Sequence, residues 1–193
     1  MKKSDLTGPH GTFDKINDGV AFLTLGALLT GLHEAAPVWW TAESLNLTLF
    51  SAFFFLLRLK FYMDDSVYFR SLAEFRSWHF AIGFSVGLLS WALMAVAAAS
   101  VKDIHNAYLL LLLAVAASTV WIVVDAIRSG AYQEQFVWFA TNASYTAGLG
   151  FLIWRNPRIP GRIDAIVLVV MIFIIAIDYV LSRPIQNMFR PKS

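Results

Sequence analysis

The chain has 193 residues, of which 58% are hydrophobic and 15% charged, and its mean hydropathy is +0.62. Soluble domains run roughly 45–50% apolar and about 25% charged, so this composition belongs to a chain whose solvent is lipid. It excludes a disordered protein, a soluble enzyme domain and a nucleic-acid binder; the sequence pI is near 9.0, but the net charge is only +2.

Six windows of low charge, each about as long as a bilayer-spanning helix, predict an all-α polytopic membrane protein. It is read as a single domain of six transmembrane helices with short loops, at 16–32, 45–63, 78–100, 106–127, 136–154 and 163–181. In the first, Asp18 follows Asn17 at the start of the span, where a carboxylate complements the N-terminal helix dipole. That span ends at His33-Glu34-Ala35-Ala36-Pro37, and Trp39 and Trp40 beyond it read as interfacial anchors. After the second window, Asp64-Asp65 read as solvated charge in an inner loop. The third holds Gly83-Phe84-Ser85-Val86-Gly87, the G-x-S-x-G spelling of a serine hydrolase, but inside an apolar helix it reads as glycine packing.

The fourth window carries Asp125, with Arg128 three residues on as a local ion-pair partner. The fifth has a polar centre of Thr141, Asn142, Ser144, Tyr145 and Thr146, which must bond to protein or line water. Ala140, Ser144 and Gly148 there form a small-residue ladder suited to close helix packing. In the sixth, Asp178 lies in the run Ile172-Phe173-Ile174-Ile175-Ala176-Ile177 with no cation at i±3 or i±4. A carboxylate at such depth is costly and marks a functional position. Its partner must come from another helix, with His79, Arg58 or water as the choices.

Orientation follows from Lys and Arg. With the N-terminus inside, eleven of the 15 cations fall in inner segments: Lys2, Lys3, Lys15, Arg58, Lys60, Arg70, Arg76, Arg128, Arg183, Arg190 and Lys192. Lys102, Arg155, Arg158 and Arg162 fall outside. Both termini are therefore expected in the cytoplasm of, most simply, a bacterial inner membrane. Asp18, Asp125 and Asp178 then share one depth near the inner surface, a vestibule of carboxylates that gathers cations. With no cysteine, disulfides, Cys-ligated zinc and iron–sulfur clusters are excluded. His33 and His105 sit at outer helix ends, a poor match to a haem held inside the apolar zone, and neither cofactor nor metal is expected.

The segment Ile16-Asn17-Asp18-Gly19-Val20-Ala21-Phe22-Leu23-Thr24-Leu25 resembles the F-S-D-G-V-F-A-I-A-I stretch of the bacterial and lysosomal potassium-channel family. Asp18, Gly19 and Val20 match identically. The family's Phe and Ser are Ile16 and Asn17 here, and its upstream Arg falls at Thr12. The resemblance implies six helices with cytoplasmic termini and a homo-oligomer in which helix 1 lines a pore between subunits. The constriction would fall on Leu23 and Val20, with Asp18 at the inner end. Two functions follow as expectations. One is a cation-conducting channel whose partners are the bilayer, other copies of the chain and inorganic cations. The other is a small transporter with a polar site on helices 5 and 6; a membrane enzyme or haem electron carrier is a third class.

Overall fold

The computed structural model describes residues 9–35, 42–71, 78–129, 132–155 and 161–188, with side chains for 15–33, 45–65, 81–127, 135–155 and 161–182. Among these, six helices make up the fold: α1 Pro9–Ala35, α2 Ala42–Ser71, α3 Trp78–Ala99, α4 Ile104–Ser129, α5 Tyr132–Arg155 and α6 Arg162–Met188. Trp39, Trp40, Arg158 and the prolines of the fifth loop lie outside the described residues, as do the side chains of His10, His79 and Arg128. Among the described residues, four helices contain stretches long and apolar enough to cross a membrane: Leu45–Asp65, Ala81–Ala99, Ile104–Ile127 and Arg162–Ser182.

Two helix boundaries depart from the sequence expectation. α1 begins at Pro9, a residue suited to the first helical turn because it has no N–H to leave unsatisfied. Asp18 is consequently more than two turns inside the helix and does not cap it. α2 runs on to Ser71, so Asp64 and Asp65 belong to a helix and not to a loop.

Each helix has two principal neighbours. α1 packs on α3, α3 on α4, α4 on α5, α5 on α6, α6 on α2, and α2 back on α1. The result is a closed ring. Its α2 flank is buried along its length, with Phe50, Phe53, Phe54, Leu57, Arg58, Lys60 and Phe61 all inside. One half of the interior is a dry core in which Phe50 meets Tyr108 edge-on at 5.3 Å and Phe53 meets Tyr145 at 6.0 Å. Such aromatic pairs fix side-chain geometry where hydrophobicity alone cannot, because lipid is as apolar as the core. The other half, toward the C-terminal ends of α2, α4 and α6, is polar.

Between elements, Arg155 Nε lies 3.4 Å from Asp164 Oδ1, and Asp164 Oδ2 accepts the Gly161 N–H at 2.6 Å. Arg155, one of the four cations expected outside, thus ties the end of α5 to the start of α6.

Two glycines test how tightly the ring closes. A Cβ on Gly31 would lie 2.7 Å from the Ala98 carbonyl oxygen of α3, against backbone that cannot swing away. One on Gly148 would lie 2.5 Å from Met171 Sδ, a thioether that can rotate. Gly31→Ala should therefore cost about 1–3 kcal/mol by overpacking, whereas Gly148→Ala should shift the melting temperature little. Melting both variants in detergent checks the contrast. Equal losses would mean that α1 can slide on α3.

Candidate functional site

α2 carries four charged groups within two turns. Lys60 is 1% exposed, and its ammonium pairs with Asp64 one turn on in the same helix. It also lies 3.5 Å from Asp178 Oδ1 of α6. Asp178 is held from α5, whose Tyr145 hydroxyl donates to its Oδ2 at 3.2 Å, and from its own helix, where the Ser182 hydroxyl lies 3.0 Å from its Oδ1. Among the described residues Lys60, and not Arg58, is the cation that pairs with Asp178; the side chain of His79 lies outside them. Asp65 accepts the Trp91 indole N–H at 2.7 Å, so α3 secures the second acid of the pair.

On the facing wall, Asp125 of α4 accepts from Gln135 Nε2 of α5 at 2.5 Å. A carboxylate offers only acceptors, so the Gln135 amide must turn its NH2 toward Asp125 and its oxygen away. That Oε1 is buried, with no donor among the described residues.

These groups surround one cavity of about 80 Å³. It is lined by Asp64, Asp65, Asp125 and Asp178, by Gln135, Thr141 and Asn142, and by Phe61, Trp121 and Trp138. Such a volume holds a few waters or a small organic group. Gly83 makes room for the Trp121 ring, since a Cβ there would collide with its six-membered edge. This gives a packing reason for the first glycine of the Gly83-Phe84-Ser85-Val86-Gly87 stretch. Among the described residues no three His, Cys, Asp or Glu converge tightly enough to hold a metal ion.

The sequence-derived residues divide clearly. Asp178, Thr141 and Asn142 line the cavity, and Tyr145 reaches it through its hydrogen bond to Asp178. Ser144 does not take part, since its hydroxyl bonds back to the Ala140 carbonyl of its own helix at 2.8 Å. Asp125 lines the same cavity as Asp178, but Asp18 stands apart and accepts the Tyr62 hydroxyl at 2.5 Å between α1 and α2. Val20 is half-buried, and Leu23 is 72% exposed on the outer face of the ring. His33 is exposed and His105 is half-buried.

Sequence reasoning missed Lys60, Asp64 and Asp65 as interior groups, though it offered Arg58 as an interior partner for Asp178. Arg58 and Lys60, counted with the inner-segment cations, are both 1% exposed within the bundle. For Lys60 the four-residue spacing to Asp64 was the available signal. Taking the two away still leaves the cation excess on the same side.

No family model matches the chain, and neither does any curated protein or solved structure.

Proposed function

We propose that the chain is a six-helix membrane carrier for a small organic ammonium ion, with its binding site in the cavity between α2, α4, α5 and α6. The observation that carries this reading is the joint presence of four aspartates, two indole rings and an undonated amide oxygen around one buried space. Carboxylates and tryptophan faces both attract a cation. An oxygen without a donor favours one that brings N–H groups, and the apolar remainder of the wall suits a short carbon body.

Lys60 gives the site an internal competitor. Its ammonium is shared between Asp64 and Asp178. An incoming ammonium that takes over Asp178 leaves Lys60 with Asp64, so no charge is stranded in the bundle. Exchange of this kind is favourable where a lone buried ion is not.

In this reading α1 and α5 cross the bilayer together with the four more apolar helices. The polar centre of α5 turns toward the interior, where Thr141 and Asn142 are buried. Both termini are cytoplasmic, on the strength of the cation bias, and the cavity opens from the inner side. The resemblance of the Asp18-Gly19-Val20 segment to a family with bacterial members supports a bacterial inner membrane.

A second reading keeps a homo-oligomeric cation channel lined by α1, and the exposed Phe22 and Leu23 of that helix favour it. Flux in proteoliposomes separates the two. The carrier predicts saturable uptake of a labelled primary alkylammonium, competed by other amines. Ohmic potassium current without saturation would transfer the assignment to the α1 pore. Absence of both activities would reject both readings.

A further inference from the structure

Outside the ring of polar groups just described, α1 and α2 enclose a second cavity of about 420 Å³, within the range of ligand-binding clefts. Its walls include Asp18, Tyr62, Arg58, Phe22, Leu25 and Phe55. Phe22 is 76% exposed and Phe55 is exposed, so the space faces the surrounding bilayer. We infer that this groove holds one phospholipid of the inner leaflet whose headgroup carries both a phosphate and a primary ammonium, as phosphatidylethanolamine does.

The deciding group is Arg58. Its guanidinium lies 5.7 Å from the centre of the Trp91 ring, and its Nη2 donates to Asn17 Oδ1 at 3.4 Å. The residue is 1% exposed, yet Nε and Nη1 find no partner among the described residues. Neither is any described carboxylate close enough to form an ion pair with it. Three N–H donors of a permanent cation therefore have no hydrogen-bond partner among the described residues, in a place where water is scarce, and the charge of Asp65 acts on them only from beyond ion-pair distance. A phosphate is the anion whose geometry fits such a fork.

The order of groups along the groove matches the order of groups in the lipid. Asp18 and Asn17 stand level with Tyr62, through the Tyr62 hydroxyl and the bond from Asn17 Nδ2 to the Tyr62 carbonyl at 3.1 Å. Tyr62 is one helical turn past Arg58, toward the end of α2 that bears Asp64 and Asp65. Phe55 lies on the other side of Arg58, and Phe22 and Leu25 continue that way along α1. From the aqueous end inward the sequence is carboxylate, guanidinium, apolar wall. In the lipid it is ammonium, phosphate, acyl chain. Exposed Lys15 at the aqueous end of α1 adds attraction for the phosphate layer. A purely anionic headgroup leaves Asp18 facing a like charge, and a choline headgroup offers it no N–H. The inference is independent of the carrier reading, since none of these residues lines the central cavity.

The test counts lipids retained by the purified full-length protein in mild detergent, by native mass spectrometry, with melting temperature as the second readout. Dioleoyl phosphatidylethanolamine, phosphatidylcholine and phosphatidylglycerol are the probes, and soluble glycerophosphoethanolamine supplies the headgroup without chains. Wild-type protein should retain the ethanolamine lipid over the other two and ignore the soluble headgroup. Arg58→Gln should weaken retention of all three lipids about tenfold, the effect of losing one charge-assisted hydrogen bond. Asp18→Asn should abolish the preference for ethanolamine while keeping phospholipid binding. If Arg58→Gln does not fold, Leu25→Trp still decides, because it fills the groove with both charges in place and should remove binding. Equal retention of the three lipids by wild type, strong binding of the soluble headgroup, or unchanged selectivity in Leu25→Trp would each overturn the inference.

Discussion

Replacing Lys60 with Met should lower the melting temperature by roughly 10 °C, the loss expected when one partner of a buried ion pair is removed. Met fills about the same volume along the stem, so the damage is electrostatic. Asp64 and Asp178 are left facing each other without the ammonium that separates them. Two further measurements give the prediction its content. The double variant Lys60→Met/Asp178→Asn removes the stranded charge on α6 and should recover a large part of the loss, which makes the coupling between the sites directly measurable. Millimolar alkylammonium should also stabilise Lys60→Met more than wild type, because the added cation takes the place the lysine held. A Lys60→Met protein that melts normally would mean that these aspartates do not depend on Lys60.

Asp125→Asn should reduce kcat/KM for alkylammonium uptake by about two to three orders of magnitude while leaving the fold intact. The substitution keeps an oxygen for the Gln135 amide, so the α4–α5 contact survives. What disappears is one negative charge beside the cavity. At about 4 Å and an effective dielectric of about 20, such a charge contributes about 4 kcal/mol to a bound cation. Competition and partial exposure to water reduce this toward the lower end. Initial uptake rates over a substrate series check the result, with melting temperature as the control. A change smaller than about threefold would show that the cation binds away from Asp125, and the site would have to move.

The all-α class and the six helices were legible in the sequence because windows of low charge mark them, and Asp125 and Asp178, singled out there, line one cavity. So was the need of Asp178 for a partner on another helix. The partner itself was not legible. Arg58 and Lys60 sit within five residues of the end of the expected span at Met63, just before Asp64 and Asp65, and one-dimensional counting assigns such residues to the interface. Only the ring closure of α2 on α6 shows that Lys60 points inward. The first-turn placement of Asp18 failed for a related reason: the polar residues before Lys15 look like a tail, and Pro9 was the one local signal of an earlier helix start. Ser144 and Asn142 are two residues apart in one polar run, yet only Asn142 faces the cavity. Helical phase relative to neighbours decides that, and phase is a tertiary property.

The placement of Lys60 also bears on how the protein is made. α2 leaves the ribosome long before α6, so its lysine enters the membrane while Asp178 has not yet been synthesised. Asp64, one turn away on the same helix, is already present and neutralises it during that interval. The i,i+4 pair thus acts as a temporary counter-ion that lets a helix with four interior charges settle in lipid. α6, arriving last, then divides the lysine between two acids. Topogenesis of this chain is ordered by charge: a truncation that stops before α6 should still insert α2, and one that also loses Asp64 should not.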